Sequence, residues 1–253
     1  MESEFTGIRS KRYKEALKEY PDARLEDIKV MKIYLAPKKG ETILEIGAGN
    51  GFFSIIIAEM VGKEGRLIVS DPSAEQLENI KELNKPNIAV VQEGAEDLNF
   101  PENSIDAIWS FGAMHHVFAK QKSFNHFKKI LKNGGRIVIA DVFSGSSLAK
   151  HFDQQVAKYC VTGHEVAFWS REYAESICYL AGLEKPKFFI IRQKWKFKTK
   201  KDIGIFLYKI HAMTKTTLKE CLNGAEKILG IGKKNGFFEL NWPMEVILTK
   251  KPT

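Results

Sequence analysis

From residue 42 onward the chain alternates short, unbroken apolar runs with stretches of helical spacing. Residues 42–46, 66–70, 87–91, 105–109 and 136–141 are too short for a stable helix. They carry Val, Ile and Leu at consecutive positions, the pattern of strands buried on both faces. Between them the spacing predicts helices over 52–61, 73–83 and 123–131, the last stopped by Asn133-Gly134-Gly135. Ahead of the first strand, helices are predicted over 11–20 and 25–35, separated by Pro21-Asp22 and ended before Pro37. Beyond Val142 the rhythm changes. Helices over 147–159 and 170–181 precede a long strand over 187–199, a helical stretch over 202–229 and a last strand over 244–250. This order predicts an α/β fold with a doubly wound, mostly parallel seven-stranded sheet. An N-terminal helical cap (1–36), a ligand-binding core (37–142) and a remainder with helical insertions (143–253) are expected within one structural domain.

Composition narrows the classes. With 44% hydrophobic and 28% charged residues in 253, the chain reads as a folded soluble protein rather than a disordered one. No apolar run approaches the roughly 20 residues that cross a bilayer. The start, Met1-Glu2-Ser3-Glu4-Phe5, lacks a basic segment followed by an apolar one, so a cytoplasmic protein is expected. Cys160, Cys178 and Cys221 lie far apart without C-x-x-C spacing. They read as buried small hydrophobes, and no metal is expected.

The net charge of +8 is unevenly placed: residues 1–150 carry 21 basic and 21 acidic residues, and the rest 18 and 10. Within the strand at 187–199 and just past it, Arg192, Lys194, Lys196, Lys198 and Lys200 alternate against Phe189, Ile191, Trp195 and Phe197. This is either a solvated basic face over a buried back, or a docking strip for an anion such as RNA, an acidic carrier protein or a headgroup.

Two landmarks carry chemistry. Glu45-Ile46-Gly47-Ala48-Gly49-Asn50-Gly51 lies between a strand and a helix, where glycines let the backbone turn tightly and a ligand approach it. The dinucleotide pattern G-x-G-x-x-G would need glycine at Phe52, so a pyrophosphate site is disfavoured. The second landmark is Asp71, directly after the strand at 66–70 and 20 residues past Gly51. An acid there can accept two hydrogen bonds from a ribose diol.

With further stretches these landmarks resemble class I S-adenosylmethionine-dependent methyltransferases, of the group containing the ubiquinone/menaquinone- and biotin-biosynthesis enzymes. The matching stretches, in family order, are residues 43–51, Val69-Ser70-Asp71-Pro72-Ser73, residues 94–101, residues 104–108 with His115-His116, and Leu131-Lys132-Asn133-Gly134-Gly135. The likeness covers roughly residues 10–142 and implies a Rossmann-like fold that binds S-adenosylmethionine and releases S-adenosylhomocysteine. It also implies roles. Gly47, Ala48 and Gly49 would line the methionyl part, and Glu45 would hold its amino end or order the glycine loop. Asp71 would take the ribose hydroxyls, with Pro72 and Ser73 beside the adenine and Ala95 and Glu96 at its other edge. Ser110 and Phe111 would lie next to the sulfonium. Where the family often has an acid for the adenine amino group, this chain has Gly94, so Glu96, Glu93 or backbone would replace that contact.

In-line methyl transfer needs alignment and exclusion of water, and a base only if the acceptor must lose a proton. His115, His116 and His164 are the candidate bases, each also readable as a packed, capping or surface histidine. Tyr13 is either a lid over the cofactor or a helix-packing residue. Bulky apolar residues at 143–180 and 202–233 lie where the family places acceptor-binding lids. The expected acceptor is a small or lipid-like molecule. RNA or protein methylation and non-catalytic cofactor binding are the alternatives.

Overall fold

A computed structural model describes residues 4–253. The reading of the chain start rests partly on Met1, Glu2 and Ser3, which lie outside the described residues. By internal packing the chain divides into two compact units. The first comprises Met1–Lys29, Val142–Glu165 and Ile190–Met244, and the second Val30–Asp141, Val166–Phe189 and Glu245–Thr253.

The second unit holds the strands that the apolar runs predict. They are β1 (Thr42–Ile46), β2 (Arg66–Ser70), β3 (Ile88–Val91), β4 (Ile105–Phe111) and β5 (Leu131–Asp141). All of these neighbours pair in parallel, β1 with β2 and β4, β2 with β3, and β4 with β5. Strand β6 spans Lys187–Phe197 and β8 spans Phe237–Lys250. The order is β3-β2-β1-β4-β5-β8-β6, and β8 runs antiparallel to β5. Chain direction of travel therefore reverses between β1 and β4, a switch point that leaves the carboxyl ends of both strands open to a ligand.

Helices α3 (Ser54–Val61), α4 (Ala74–Glu82) and α5 (Lys120–Ile130) connect these strands. Ile43, Leu44, Ile57, Leu77, Ile108, Trp109, Phe124 and Phe127 are fully buried between them, each contributing about 1.5–3 kcal/mol. Asn133-Gly134-Gly135 differs from its expected role. Helix α5 ends at Ile130, and the glycines fall inside β5, where the register jumps from Ile105↔Leu131 to Ala107↔Arg136. A bulge occupies the place of the helix stop. Helix α8 (Arg171–Leu180) and the end of α2 (Leu25–Tyr34) also belong to this unit.

The first unit contains α1 (Gly7–Glu19). The helix expected over 147–159 is α6 (Ser147–His151), a π-helical turn (Phe152–Val156) and α7 (Ala157–Tyr159) in succession. The stretch at 202–229 is two helices, α9 (Lys200–Ile210) and α10 (Leu218–Ile228), each opened by a capping box, at Thr199/Asp202 and Thr217/Glu220. A short strand, β7 (Ile231–Lys234), pairs with the start of β8 across Asn235-Gly236, both at positive φ. That hairpin adds an eighth strand off the seven-stranded path.

Along β6 the alternation holds from Ile191 onward, with Ile191, Gln193, Trp195 and Phe197 buried, but Phe189, expected on the same buried face, is exposed because the start of the strand is left uncovered. Part of its basic face is matched by acids: Lys194 lies 3.1 Å from Glu239 and Lys196 3.0 Å from Glu26. Lys200, on α9, lies 2.5 Å from Glu226. These pairs favour the solvated-face reading over an anion strip.

Candidate functional site

The glycine turn after β1 is built for close packing. Gly47, Gly49 and Gly51 have φ of 65°, 56° and 87°, values that L side chains avoid. A Cβ on Gly47 would lie 2.3 Å from the Ala113 Cβ, and one on Gly51 2.6 Å from Ile80. The turn's first amides are already committed. Gly47 and Ala48 N–H both donate to the Ser70 carbonyl, at 2.8 and 3.2 Å, and Gly49 N–H donates to Asp71 at 2.9 Å. A backbone nest for phosphate is therefore not what this turn offers.

Instead, two buried carboxylates flank it. Asp71 accepts from Gly49 through Oδ2 and from Ser73 N–H through Oδ1, both at 2.9 Å. Burial pushes its carboxyl up, and those two amides oppose the shift. Ser73 caps α4 by accepting from Gln76 N–H. Glu45 is 1% exposed and accepts from the Ser54 hydroxyl at 2.6 Å. Burial pushes its carboxyl up to about 8, opposed by Ser54 and reinforced by Asp71.

A folded pKa above the unfolded value means that the fold holds this proton. The associated stability is fully present below the unfolded value, near 4.5, and is lost as pH rises through about 8. Melting curves between pH 5 and 9 are expected to show a steeper decline for the wild type than for Glu45→Gln. Parallel declines would mean that Glu45 ionises as readily in the fold as out of it.

The remaining expected residues gather at the same sheet edge. Ile46 and Ser110 are register partners across β1 and β4. The buried Ser110 hydroxyl and the Asn50 side-chain oxygen have no protein partner within hydrogen-bond reach. Phe111 packs on Phe53 at 5.1 Å. Ala95 is buried, Glu96 half-buried and Pro72 exposed. A Cβ on Gly94 would meet the Glu96 carboxylate at 3.3 Å, so Glu96 leans over the position where the family often carries an acid.

His115 and His116 lie just past β4 in a single helical turn, Met114–His116, with their rings 4.3 Å apart. His115 is 2% exposed. Its Nδ1 sits 2.6 Å from Asp141 Oδ1, and its backbone N–H donates to Asp141 Oδ2 at 2.9 Å. The Trp169 indole donates to the same carboxylate at 3.3 Å. Sequence reasoning missed Asp141; the available signal was a charged residue ending a strand otherwise buried on both faces. Lys120, also missed, is buried beside this group, with its ammonium over the Trp169 ring and burial pushing it down to about 8.

His164 and Tyr13 belong to the first unit. His164 lies with its ring 4.9 Å from Phe152. The Tyr13 hydroxyl accepts from Arg24 at 3.3 Å, which favours its packing role.

A family profile described as a methyltransferase domain matches residues 37–229, more than half of the chain. The chain belongs to this methyltransferase family. The sheet edge, with its glycine turn, paired acids and orphaned Ser110 and Asn50 oxygens, is fit to hold S-adenosylmethionine, the cofactor that the resemblance implies. Over 109 residues the methyltransferase is 35% identical to the ubiquinone/menaquinone biosynthesis C-methyltransferase UbiE of Francisella tularensis subsp. novicida, covering 41% of this chain and 44% of that protein. It thus spans less than half the length of the curated relatives that it matches. Among solved structures, the YcgJ protein of Bacillus subtilis superposes with a TM-score of 0.65 at 18% identity, covering 90% of this chain and 99% of that one. Phosphoethanolamine N-methyltransferase 2 of Haemonchus contortus, in complex with S-adenosyl-L-methionine, gives 0.67 at 16% identity, covering 96% of this methyltransferase and 57% of that chain. At these identities the two structures show a shared fold. Among the described residues no helix is long and apolar enough to cross a membrane.

Proposed function

We propose that this methyltransferase acts on a small or lipid-like acceptor by in-line transfer, with the cofactor held across the carboxyl ends of β1, β2 and β4. The observation that carries the reading is a glycine turn whose first amides are spent on the chain itself while two buried carboxylates stand at its edges. Such a site favours a ligand with hydroxyl groups and a cationic group, whose charge would displace the proton that burial holds on Glu45, over one with phosphates. When bound, S-adenosylmethionine supplies a methyl carbon activated by its sulfonium.

The residues divide the work. Glu45 meets the amino end and, tied to Ser54 at the start of α3, also orders the turn. Asp71 accepts the ribose hydroxyls. A carboxylate has about four lone-pair sites, so its bonds to Gly49 and Ser73 leave capacity for two more. Pro72 and Ser73 line one adenine edge, and Ala95 and Glu96 the other. Ser110 and Phe111 flank the sulfonium, with Gly47, Ala48 and Gly49 beside the methionyl chain. His115 is the base. Asp141 accepting from Nδ1–H fixes the tautomer with its lone pair on Nε2. The cap, core and lid division of the chain belongs to the same proposal, with the first unit serving acceptor recognition.

Asp71→Ala is expected to weaken S-adenosylmethionine binding by about 1–3 kcal/mol, the worth of hydrogen bonds to a charged acceptor. Unchanged affinity in calorimetry would remove Asp71 from its role. For the acceptor, incubation with methyl-labelled cofactor and fractionated extract is expected to label the small-molecule or lipid fraction. Label confined to RNA or protein would overturn the acceptor class.

A further inference from the structure

The first unit holds a concentration of unsatisfied polarity that the cofactor site does not use. Both ring nitrogens of His151, Nε2 of His211 and both amide atoms of Gln193 are buried with no protein partner within hydrogen-bond reach. His151 is fully buried and Gln193 is 4% exposed. An orphaned buried atom is costly, and native chains carry only a few per 100 residues. A fold selected for stability alone would not gather them on neighbouring side chains.

Their surroundings are flat rings. Trp195 and Trp242 stack at 3.7 Å with their planes 18° apart, and His211 lies nearly parallel to Trp242 at 5.8 Å. Phe152 meets His211 edge-on at 5.4 Å, and His151 stands 6.0 Å from Trp242. Gln193 is two residues from Trp195 on the same buried face of β6, one pleat or roughly 7 Å away. The π-helical turn begins at Phe152, directly after His151; such turns occur often at functional sites.

Charge and hydrogen-bond chemistry then specify what these groups would take. Burial pushes His151 down to about 4 and His211 down as well, so both imidazoles are neutral near pH 7. Buried cations nearby carry their own acids: Arg24 lies 2.7 Å from Asp27 and Arg9 2.5 Å from Glu4. No uncompensated charge calls for an ionic ligand. Gln193 offers a donor and an acceptor side by side, the neutral His151 ring offers one of each, and His211 offers Nε2.

We infer that this ring cluster binds an uncharged planar heterocycle with a hydrogen-bond donor and acceptor adjacent on one edge, as in a lactam or amidine, and that this is the acceptor class of the enzyme. The inference rests on the proposed methyl-transfer reading for its place in the reaction, but not for binding itself.

The test is calorimetry on the full chain loaded with S-adenosylhomocysteine, using three probes. They are 2(1H)-quinolinone with a lactam edge, quinoline lacking the donor, and 1-naphthyl phosphate carrying charge. The quinolinone is expected to bind about tenfold or more tighter than quinoline, the worth of about one hydrogen bond, and the phosphate not at all. Gln193→Met and His151→Leu are expected to abolish that preference with melting temperature unchanged or raised, because an apolar group replaces an orphaned one. Equal affinity for the two neutral bicycles overturns the inference. So does a lowered melting temperature in both variants with probe binding intact, which would assign these atoms to structural water. If S-adenosylhomocysteine binds and the quinolinone does not, this inference alone fails; if neither binds, the cofactor reading fails with it.

Discussion

Alanine in place of His115 is expected to lower kcat by about 10²–10⁴-fold, the range that a positioned base contributes, while S-adenosylmethionine affinity stays within twofold of the wild type. The variant should remain folded for a specific reason. The Asp141 carboxylate still accepts from the backbone N–H of residue 115 and from the Trp169 indole, so the substitution does not leave a buried charge alone. Asp141→Asn probes the positioning partner. An asparagine amide must put its NH₂ towards either the two donors that face Oδ2 or the His115 ring. Facing the donors, the NH₂ loses both of their bonds; facing the ring, it donates to Nδ1 and favours the wrong imidazole tautomer. The expected result is a fall in kcat with little change in KM. If both variants turn over normally, the dyad is a buried structural pair.

The sheet was legible because its signals are local. Residues 42–46 and 66–70 are strands with the boundaries that their apolar runs predict, since strands buried on both faces read as near-continuous apolar runs. The glycine turn and Asp71 were legible for a related reason: positive φ and a strand-end acid are written in residue type. Asn133-Gly134-Gly135 was misread because glycines that stop a helix and glycines that bulge a strand look alike until the partner strand is known. In β4 that partner shifts register between Ile105 and Ala107. Asn235-Gly236 carried an ordinary hairpin signal, yet β7 was overlooked because Ile231–Lys234 has too little apolar character to read as a strand.

Other features take their meaning from what packs against them. Asp141 matters because a chain turn 26 residues earlier brings His115 to it. Gln193 was legible as an inward position on β6, but its lack of a partner follows from what packs around it. That is a property of tertiary structure alone, and the same holds for His151 and His211.

The second large effect concerns the glycine turn itself. Gly47→Ala is expected to destabilise the protein by about 2–5 kcal/mol, summing ~1–2 for a side chain at positive φ and ~1–3 for forced overpacking. Cofactor binding should fall below detection at the concentrations that saturate the wild type. The two causes are separable. At position 47 the added Cβ would meet the Ala113 Cβ at 2.3 Å, whereas the next contact, the Ala113 Cα, stands at an ordinary 3.7 Å. Ala113→Gly in the same chain therefore removes the collision and leaves the backbone strain. Ala113 itself has φ of −128°, so glycine there meets no special conformational demand. The double variant is expected to regain about 1–3 kcal/mol relative to Gly47→Ala, a coupling that two independent sites would not show. Measured by denaturant melts alongside S-adenosylmethionine titration, that recovery would tie cofactor binding to the close approach of the turn after β1 and the segment after β4. Additive losses would mean that glycine is needed at 47 for its dihedral angles alone.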